Sequence, residues 1–267
     1  MKQLCAFALL FAAGISWALA SDTLVRIEGG TFIMGSPPGE PRRLSNELQR
    51  EVAVSSFYMG IHEVTQAEYE EVMGTNPSLF KGPDLPVEQV SWFDAVIFAN
   101  RLSEQQGFQA AYTIHGHNVT WDRSANGFRL PTEAEWEFAA RAGTTTVFHT
   151  GNNITTREAN YDGSRPYNNN ADGIFRQRTM PAGSFEPNAF GLYDMHGNVG
   201  EWCWDWNVAY SREARTDPAG PPSGFHRVFR GGGWNHAGDF LHSARRGGNV
   251  PTTRGSYIGF RLARNAQ

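Results

Sequence analysis

The loss of helical periodicity after Gly143 is the feature that most constrains the fold of this chain. From residue 144 to residue 267 the sequence consists of short apolar pieces separated by Gly, Asn, Asp and Pro. Such a stretch is typical of a disordered linker when it lacks large apolar side chains. Here it also contains many Phe and Tyr residues and four tryptophans, Trp202, Trp204, Trp206 and Trp234. Because aromatic side chains bury large areas, we predict irregular backbone packed on a small sheet rather than disorder.

The N-terminal half carries three N-cap signals that predict short amphipathic helices. Thr65 is followed three residues later by Glu68, which is the capping-box pattern. The predicted helices are 66–73 after Thr65, a helix after Ser91 that runs through Leu102, and a helix opened by residues 132–135 that ends near Arg141 and is closed by Gly143. Residues 25–36 predict two short strands around a Gly-Gly turn, and residues 50–58 predict one alternating strand. We therefore expect an α+β chain with short helices on a small antiparallel sheet.

Residues 1–20 predict a cleaved export signal. A basic residue at Lys2 precedes an apolar run over 4–17, and the small residues Ala18 and Ala20 suit a cleavage site. The alternative is a transmembrane anchor, but the run is too short to span a bilayer comfortably and no second run follows. We expect an exported protein, whether periplasmic, cell-surface or secreted, in which residues 21–267 form one domain.

Cysteine content and charge narrow the function classes. After removal of residues 1–20, Cys203 is the only thiol, so we expect no disulfide and a small buried side chain at this position. The formal net charge is −4, which does not suggest a nucleic-acid-binding surface. The cations are almost all arginine, with lysine only at Lys2 and Lys81. We expect a monomer without a transmembrane span.

Eight short motifs occur in the order in which one known family carries them. They are 30–36 (GTFIMGS), 63–69 (EVTQAEY), 86–95 (PVEQVSWFDA), 129–137 (RLPTEAEWE), 188–199 (NAFGLYDMHGNV), 201–202 (EW), 230–234 (RGGGW) and 258–261 (IGFR). Together they resemble the formylglycine-generating enzyme (sulfatase-modifying factor) family over essentially the whole mature chain. The resemblance implies a C-type-lectin-like fold with little regular secondary structure.

The activity of that family depends on two copper-binding cysteines shortly after an Arg-Gly-Gly-Ser-Tyr/Trp element. When the element is aligned with residues 230–234, the cysteines fall at His236 and Leu241, which carry no thiol. Soft Cu(I) prefers thiolate or thioether sulfur, which neither residue supplies. The resemblance therefore implies a member without copper and without formylglycine-generating activity, and our expectation leans away from an enzyme.

The resemblance also implies structural calcium sites. A calcium-binding turn of the family maps onto the side chains of Asp194 and Glu201 and the backbone carbonyls of Gly197 and Val199. Such oxygen donors are the ligands that calcium prefers. The alternative is that Asp194 only stabilises a turn. A second family site maps onto Asn160, Tyr161, Asp172 and Ile174.

The histidines do not predict a transition-metal site. The six considered are His115, His117, His196, His226, His236 and His242. No nearby pattern of acidic or thiolate partners accompanies them, so we expect each imidazole to be satisfied or exposed.

Residues 236–257 form a compositionally biased window. It has no Lys, Glu, Gln, Met or Trp, the residues that codons ending in a pyrimidine cannot encode. Residues 230–235 and 258–261 bracket it, and in this the chain resembles retroelement-diversified variable proteins with the same lectin-like fold. The resemblance implies fixed positions at Ser243, Ala244, Arg246, Pro251 and Arg254. It implies substitutable, ligand-binding positions at His236, Ala237, Asp239, Phe240, Arg245, Gly247, Val250, Thr253, Gly255, Ser256 and Tyr257. The alternative is an ordinary Gly/Asn-rich loop.

Three functions stay open at this point. The first, which we favour, is an exported receptor or adhesin whose residues 236–257 bind a macromolecular ligand, expected to be a protein. The second is an exported enzyme of the same family that matures a peptide or protein oxidatively without a cysteine pair. Its candidate acid–base groups are Asp239, His236 and Glu201, whose spacing is not diagnostic. The third is an assembly or scaffold role.

Overall fold

The computed structural model describes residues 23–209 and 211–266, so the predicted export signal lies outside the described residues. Within these ranges, helices α1 to α3 span Gln66–Met73, Trp92–Gln105 and Glu133–Arg141. Strands β1 to β13 span Leu24–Ile27, Gly30–Met34, Arg50–Val54, Phe57–Gly60, Tyr112–His115, Asn118–Trp121, Phe128–Arg129, Gly200–Trp206, Arg215–Thr216, Arg227–Arg230, Gly247–Asn249, Ile258–Gly259 and Ala263–Asn265. Short 3-10 helices cover Tyr167–Asn169 and Gly238–Phe240.

The strands of the described chain form four small sheets. Two of them have four strands each, in the orders β1-β4-β13-β7 and β11-β10-β8-β12. A third sheet joins β2, β3 and β9, and β5 pairs with β6 in a hairpin. Most pairs are antiparallel, but β12 runs parallel to β8 and β9 runs parallel to β3. Much of the chain after Gly143 is irregular, as predicted, and the α+β class is confirmed.

Each helix begins at the predicted cap and has a reciprocal capping box. In α1, the Thr65 hydroxyl accepts a hydrogen bond from the Glu68 amide, and the Glu68 carboxylate accepts one from the Thr65 amide at 2.7 Å. These bonds satisfy amide groups that have no partner inside the helix. The third helix ends at Arg141 as predicted. The left-handed turn that closes it contains Ala142 as well as Gly143, with φ of 43° and 86°.

The prediction of a single strand over 50–58 is wrong, because the chain turns at Ser55 and enters a second sheet. Strand β3 pairs with β2, whereas β4 pairs with β1 and β13. The Ser55 amide and hydroxyl both donate to the Asp217 carboxylate at 2.7 Å, which fixes the turn. Strands β1 and β2 likewise lie in different sheets. Gly29, between them, allows close approach, since a Cβ would lie 2.5 Å from the Val54 carbonyl oxygen.

Buried tryptophans form the centre of the core. Trp92 of α2 and Trp202 of β8 are fully buried in one hydrophobic cluster, and Trp136 of α3 lies in a second cluster with Cys203. Cys203 is fully buried, as predicted, and burial raises the pKa of its thiol well above the usual range. Among the described residues, no helix is both long and apolar enough to cross a membrane.

Candidate functional site

The sheet β11-β10-β8-β12 carries residues 236–257, which we call the surface segment. Strand β10 leads into this segment and β12 follows it. Both strands pair with β8 at Glu201, through Arg230 and Gly259. The strands that flank the surface segment therefore lie on either side of β8 in one rigid sheet, which is how folds commonly present binding loops.

Buried ion pairs attach the middle of the surface segment to α3. Arg230 donates to Glu133 and Glu137 at 2.9 Å each. Its Nη1 also donates to the Ser243 carbonyl at 2.7 Å. Arg246 donates to Glu133 at 2.6 Å. Of the positions predicted to be fixed, the buried ones are Ser243, Ala244 and Arg246, the partly exposed one is Pro251, and the exposed one is Arg254.

His236 lies at the centre of an aromatic cluster in the surface segment. Its ring stacks on Phe240 with centroids 4.9 Å apart and meets Tyr257 edge-on at 5.3 Å. The buried ring of Phe229 lies 6.3 Å from His236. The His236 Nδ1 accepts a hydrogen bond from the Gly233 amide at 2.8 Å. Burial, with smaller contributions from two nearby arginines, lowers the pKa of His236 to about 4, so its imidazole is neutral at pH 7.

Trp234 extends this cluster towards two neighbouring loops. Its ring contacts Phe80 at 5.4 Å and Phe175 at 6.1 Å between centroids. Its Nε1 donates to the Ser256 carbonyl at 2.8 Å, which ties it to the surface segment. We call six at least partly exposed rings the aromatic surface: Phe80, Phe175, Trp234, His236, Phe240 and Tyr257.

Ten of the eleven predicted ligand-binding positions are at least partly exposed. They are His236, Ala237, Asp239, Phe240, Gly247, Val250, Thr253, Gly255, Ser256 and Tyr257. The other is Arg245, which is 9% exposed. Its guanidinium lies 4.4 Å from the Phe240 ring centre and 3.7 Å from the Glu47 carboxylate. Gly247 and Gly255 have little room for a side chain, since a Cβ would lie 2.3 Å and 2.7 Å from neighbouring aromatic rings.

The two positions that correspond to the family's copper ligands have different surroundings. His236 belongs to the aromatic surface, whereas Leu241 is fully buried in a cluster with Phe148 and Tyr167. The thiol of Cys203 lies in another hydrophobic cluster. The sulfur ligands that Cu(I) prefers are therefore missing from both positions.

The predicted calcium-binding turn contains a buried carboxylate with an unpaired oxygen. Asp194 is 5% exposed, and its Oδ2 accepts from the Gly183 amide at 2.6 Å. Its Oδ1 has no hydrogen-bond partner in the part of the chain that the structure describes. Glu63, which the sequence analysis missed, accepts from the Val199 amide at 3.3 Å. Burial raises the pKa of Asp194 to about 6, and burial with the charges of Asp194 and Glu201 raises the pKa of Glu63.

Glu201, the other carboxylate predicted at this turn, is engaged in a buried ion pair. Its two oxygens accept from Arg261 at 2.6 Å each, and Oε2 also accepts from Trp136 Nε1 at 2.7 Å. The carboxylates available to a cation here are therefore Asp194 and Glu63. An unpaired buried carboxylate oxygen beside a second carboxylate suits a hard cation such as calcium.

The second predicted calcium set is divided between the core and the surface. Asn160 and Tyr161 are buried, whereas Asp172 and Ile174 are exposed. The Asn160 Nδ2 donates to the Arg178 carbonyl at 2.9 Å. Its Oδ1 has no hydrogen-bond partner within residues 23–209 and 211–266.

The three candidate acid–base groups have different environments. Glu201 is fully buried against Arg261, so it is not accessible to a substrate. Asp239 is partly exposed and lies 3.6 Å from Arg42. His236 is neutral at pH 7 and belongs to the aromatic surface. The geometry thus leaves His236 and Asp239 as groups that a substrate could reach.

Sequence reasoning missed half of the aromatic surface. Trp234 stands in the RGGGW motif, which was a usable signal. Phe80 and Phe175 come from loops far away along the chain, and no local pattern marks them as neighbours of Trp234.

Comparisons with known proteins agree with this architecture. Residues 17–266 match the family model described as the sulfatase-modifying factor enzyme 1-like domain. The chaperone protein LppX of Paenibacillus barcinonensis is 37% identical over 238 residues, which cover 80% of this chain and 79% of LppX. The formylglycine-generating enzyme of Bos taurus is 31% identical over 284 residues, which cover 90% of this chain and 74% of that enzyme.

Among solved structures, Treponema denticola variable protein 1 superposes with a TM-score of 0.80 at 31% identity. The superposition covers 91% of this chain and 95% of the other. The C-type-lectin-like fold and the relation to variable proteins, both implied by the sequence motifs, are confirmed.

Proposed function

This chain belongs to the sulfatase-modifying factor family, and we propose that it is an exported ligand-binding member without formylglycine-generating activity. The proposed binding site is the aromatic surface together with the exposed positions of the surface segment. The proposed ligand is a protein, because Tyr, Trp and Phe side chains are enriched where proteins meet.

The division of the surface segment into a buried layer and an exposed layer is the observation that carries this proposal. Arg230 and Arg246 attach the buried layer to Glu133 on α3. Phe240 and Tyr257 belong to the exposed layer. Side chains in the exposed layer can therefore differ without loss of the ion pairs that hold the segment, which a diversified binding surface requires.

Two relatives support the proposal by their names. The similar Treponema denticola structure is that of a variable protein. LppX is named a chaperone, and chaperones act on other proteins. The bovine formylglycine-generating enzyme shares the family. The motif resemblance places the family's copper-binding cysteines at His236 and Leu241, which carry no thiol.

Cross-linking of the purified chain to extracellular proteins of the source organism, with matched variants, tests this proposal. The double variant Phe240→Ala/Tyr257→Ala should weaken binding by roughly 30-fold or more, because truncation of an aromatic hot spot costs about 2 kcal/mol or more. Phe225→Ala is the control, since Phe225 is an aromatic residue that is 75% exposed outside the segment. Arg245 is left unchanged because its burial would mix stability with binding.

Two results would contradict the binding proposal. If Phe225→Ala weakens binding as much as the double variant does, the binding does not depend on the surface segment. A large fall in melting temperature of the double variant would show that Phe240 and Tyr257 are core residues rather than binding residues.

The second function, oxidative maturation of a peptide or protein, is supported by the relation to the bovine enzyme and by the neutral, accessible imidazole of His236. Mass spectrometry of peptides incubated with the chain and oxygen would detect it. The enzyme would be favoured over the binding protein by two results together. The unmodified chain would convert a peptide without capturing a partner, and His236→Gln would abolish this conversion.

We also propose a structural calcium ion at the turn 194–201, held by Asp194 and Glu63. Because calcium would bind the native chain and not the unfolded one, excess calcium should raise the melting temperature and a chelator should lower it. Asp194→Asn should remove this difference, and Asp122→Asn, which changes an exposed carboxylate, should keep it. A melting temperature that does not respond to calcium or chelator would remove the proposal.

A further inference from the structure

Three ligand-type side chains meet beneath the surface segment, outside the aromatic surface and the calcium turn. Glu40 and Glu47 come from the loop between β2 and β3, and His242 comes from the surface segment. One side-chain oxygen or nitrogen of each lies within 4.8 Å of the others. The His242 Nδ1 is 3.3 Å from Glu40 Oε1. Two ligands of one tetrahedral ion are about 3.3 Å apart when each lies about 2.0–2.1 Å from the metal.

The three side chains are buried and poorly satisfied. Glu47 and His242 are fully buried, and the side chain of Glu40 is 5% exposed. Among the described residues, neither ring nitrogen of His242 has a hydrogen-bond partner, and the same holds for Glu40 Oε1 and Glu47 Oε1. Buried polar atoms are rarely left unpaired, so unpaired atoms on all three side chains of one cluster point to an additional ligand.

Neighbouring groups hold the cluster in place. The His242 ring is enclosed edge-on by Tyr167 at 4.7 Å and Phe148 at 5.5 Å between centroids. The Tyr167 hydroxyl donates to the Pro41 carbonyl at 3.0 Å, in the loop that carries Glu40. The Glu47 Oε2 accepts from the Ser36 hydroxyl at 2.8 Å, which leaves Oε1 directed elsewhere. Metal sites depend on support of this kind from the surrounding groups.

The two carboxylates of the cluster favour the binding of a cation. Glu40 and Glu47 are acidic, and the guanidinium of Arg245 lies 3.7 Å from Glu47 Oε1, which is too far for a hydrogen bond. Arg245 lies against the Phe240 ring. Burial raises the pKa of Tyr167, and Asp239 lies close enough for its charge to raise it further. The Asp239 carboxylate is paired with Arg42 at the surface.

We propose that Glu40, Glu47 and His242 form a binding site for a divalent transition-metal ion of the Zn²⁺ class. One imidazole and two carboxylates suit Zn²⁺, Mn²⁺ or Fe²⁺, whereas calcium takes oxygen ligands only. The ion connects the loop that carries Glu40 and Glu47 to the surface segment, next to Arg245, whose guanidinium also lies against the Phe240 ring. It thereby fixes the support of the proposed binding surface, and its existence does not depend on that function.

Titration of the untagged, chelator-treated chain with ZnCl₂ in a calorimeter tests the site. We expect one ion per chain and a rise in melting temperature, because the ion binds the folded chain. With Co²⁺ in place of Zn²⁺, a visible absorption band should appear at the same stoichiometry, which reports ligands bound directly to the metal.

Variants locate the ion within the chain. Glu40→Gln and His242→Gln should each weaken Zn²⁺ binding by more than the roughly 10- to 100-fold that loss of an outer partner costs. Glu51→Gln is the matched control, since Glu51 is an exposed carboxylate on β3. Asp194→Asn should keep full Zn²⁺ affinity, which separates this site from the calcium turn.

Two outcomes would overturn the inference. The first is the absence of stoichiometric Zn²⁺ binding by the folded chain, which would mean that His242 and Glu40 contact each other without a metal ion. The second is unchanged Zn²⁺ affinity in Glu40→Gln, the variant at the less deeply buried carboxylate. Since Glu40→Gln replaces one polar group by another of the same shape, it decides the question even where His242→Gln fails to fold.

Discussion

Buried arginines carry the charged interactions inside this molecule. Arg230 bridges Glu133 and Glu137, and Arg261 binds both oxygens of Glu201. A guanidinium presents several donors in one plane, so one side chain can satisfy two carboxylates or both oxygens of one carboxylate. Arginine is therefore well suited to the buried ion pairs of this fold.

Arg261 should be among the most sensitive positions of the chain. Replacement by leucine leaves Glu201 buried without its cation, beside Glu63 and Asp194. We expect Arg261→Leu to lower the free energy of unfolding by about 3–5 kcal/mol, the usual cost of removing one partner from a buried pair. Urea denaturation would measure this loss.

The control for this prediction is Arg212→Leu, which changes an exposed guanidinium. A second change, Glu201→Gln in the Arg261→Leu background, should recover part of the stability because it removes the unpaired charge. Equal stability of Arg261→Leu and the unmodified chain would mean that the pair contributes little.

The burial or the chemistry of a single residue was predictable from the sequence where the residue type alone determines it. Cys203 is buried as predicted, and the lack of thiols at His236 and Leu241 follows directly from their identities. The approach of Glu63 to Asp194 was not predictable, because nothing in the neighbouring sequence of either residue refers to the other. The meeting of His242 with two glutamates escaped for the same reason.

At the scale of elements, the sequence predicted what short-range contacts determine. Helix starts were correct because a capping box joins residues only three positions apart, as in Ser91 and Asp94. The strand over 50–58 was wrong because pairing partners decide strand limits. The residues before Ser55 pair with β2, and the residues after it pair with β1 and β13. These partners lie elsewhere along the chain, so no local pattern shows where one strand ends and the next begins.

The N-cap of α2 is a suitable site to measure the contribution of one such local signal. The Ser91 hydroxyl accepts from the Asp94 amide at 3.2 Å. Ser91→Ala should lower the free energy of unfolding by about 1 kcal/mol, within the range of about 0.5–2 kcal/mol for loss of a cap. Chemical denaturation would measure it, and Ser211→Ala, at an exposed serine, should leave stability unchanged. Equal stability of both variants would show that tertiary packing alone holds the helix start.

The surface segment is an element whose two layers have different tolerances. Its buried layer contacts α3, so substitution there disturbs the core. In its exposed layer, a side chain at Gly247 would have to displace the ring of Phe229. A larger residue at Gly247 therefore requires the Phe229 ring to move. Thr253 and Ser256 already carry side chains and are partly exposed, so substitution there does not require such a movement.

For the whole molecule, buried carboxylates should make stability depend on pH. Burial raises the pKa of Asp194 to about 6 and that of Asp205 to about 7, and it raises the pKa of Glu63. A carboxyl whose pKa is higher in the folded chain than in the unfolded chain stabilises the fold while protonated. This contribution is lost as the pH rises through the folded-state pKa. Buried histidines oppose this effect, because burial lowers the pKa of His149, His196 and His236.

An unfolded imidazole is still half protonated near pH 6.5, so the histidine effect persists to about pH 7.5. From about pH 6.5 to about pH 8 the two effects overlap, so the carboxyl contribution is measured as the difference in free energy of unfolding between the unmodified chain and Asp205→Asn in chelator-treated buffer. Asp205 alone accounts for a fall of up to about 1 kcal/mol in this interval. Asp205→Asn, which keeps an oxygen to accept from the Glu133 amide, should remove this fall from the pH dependence measured by urea denaturation. Asp122→Asn should not, since Asp122 is exposed and its pKa is lowered by hydrogen bonds from Ser124. The same pH dependence in Asp205→Asn and in the unmodified chain would mean that Asp205 is ionised in the folded chain throughout.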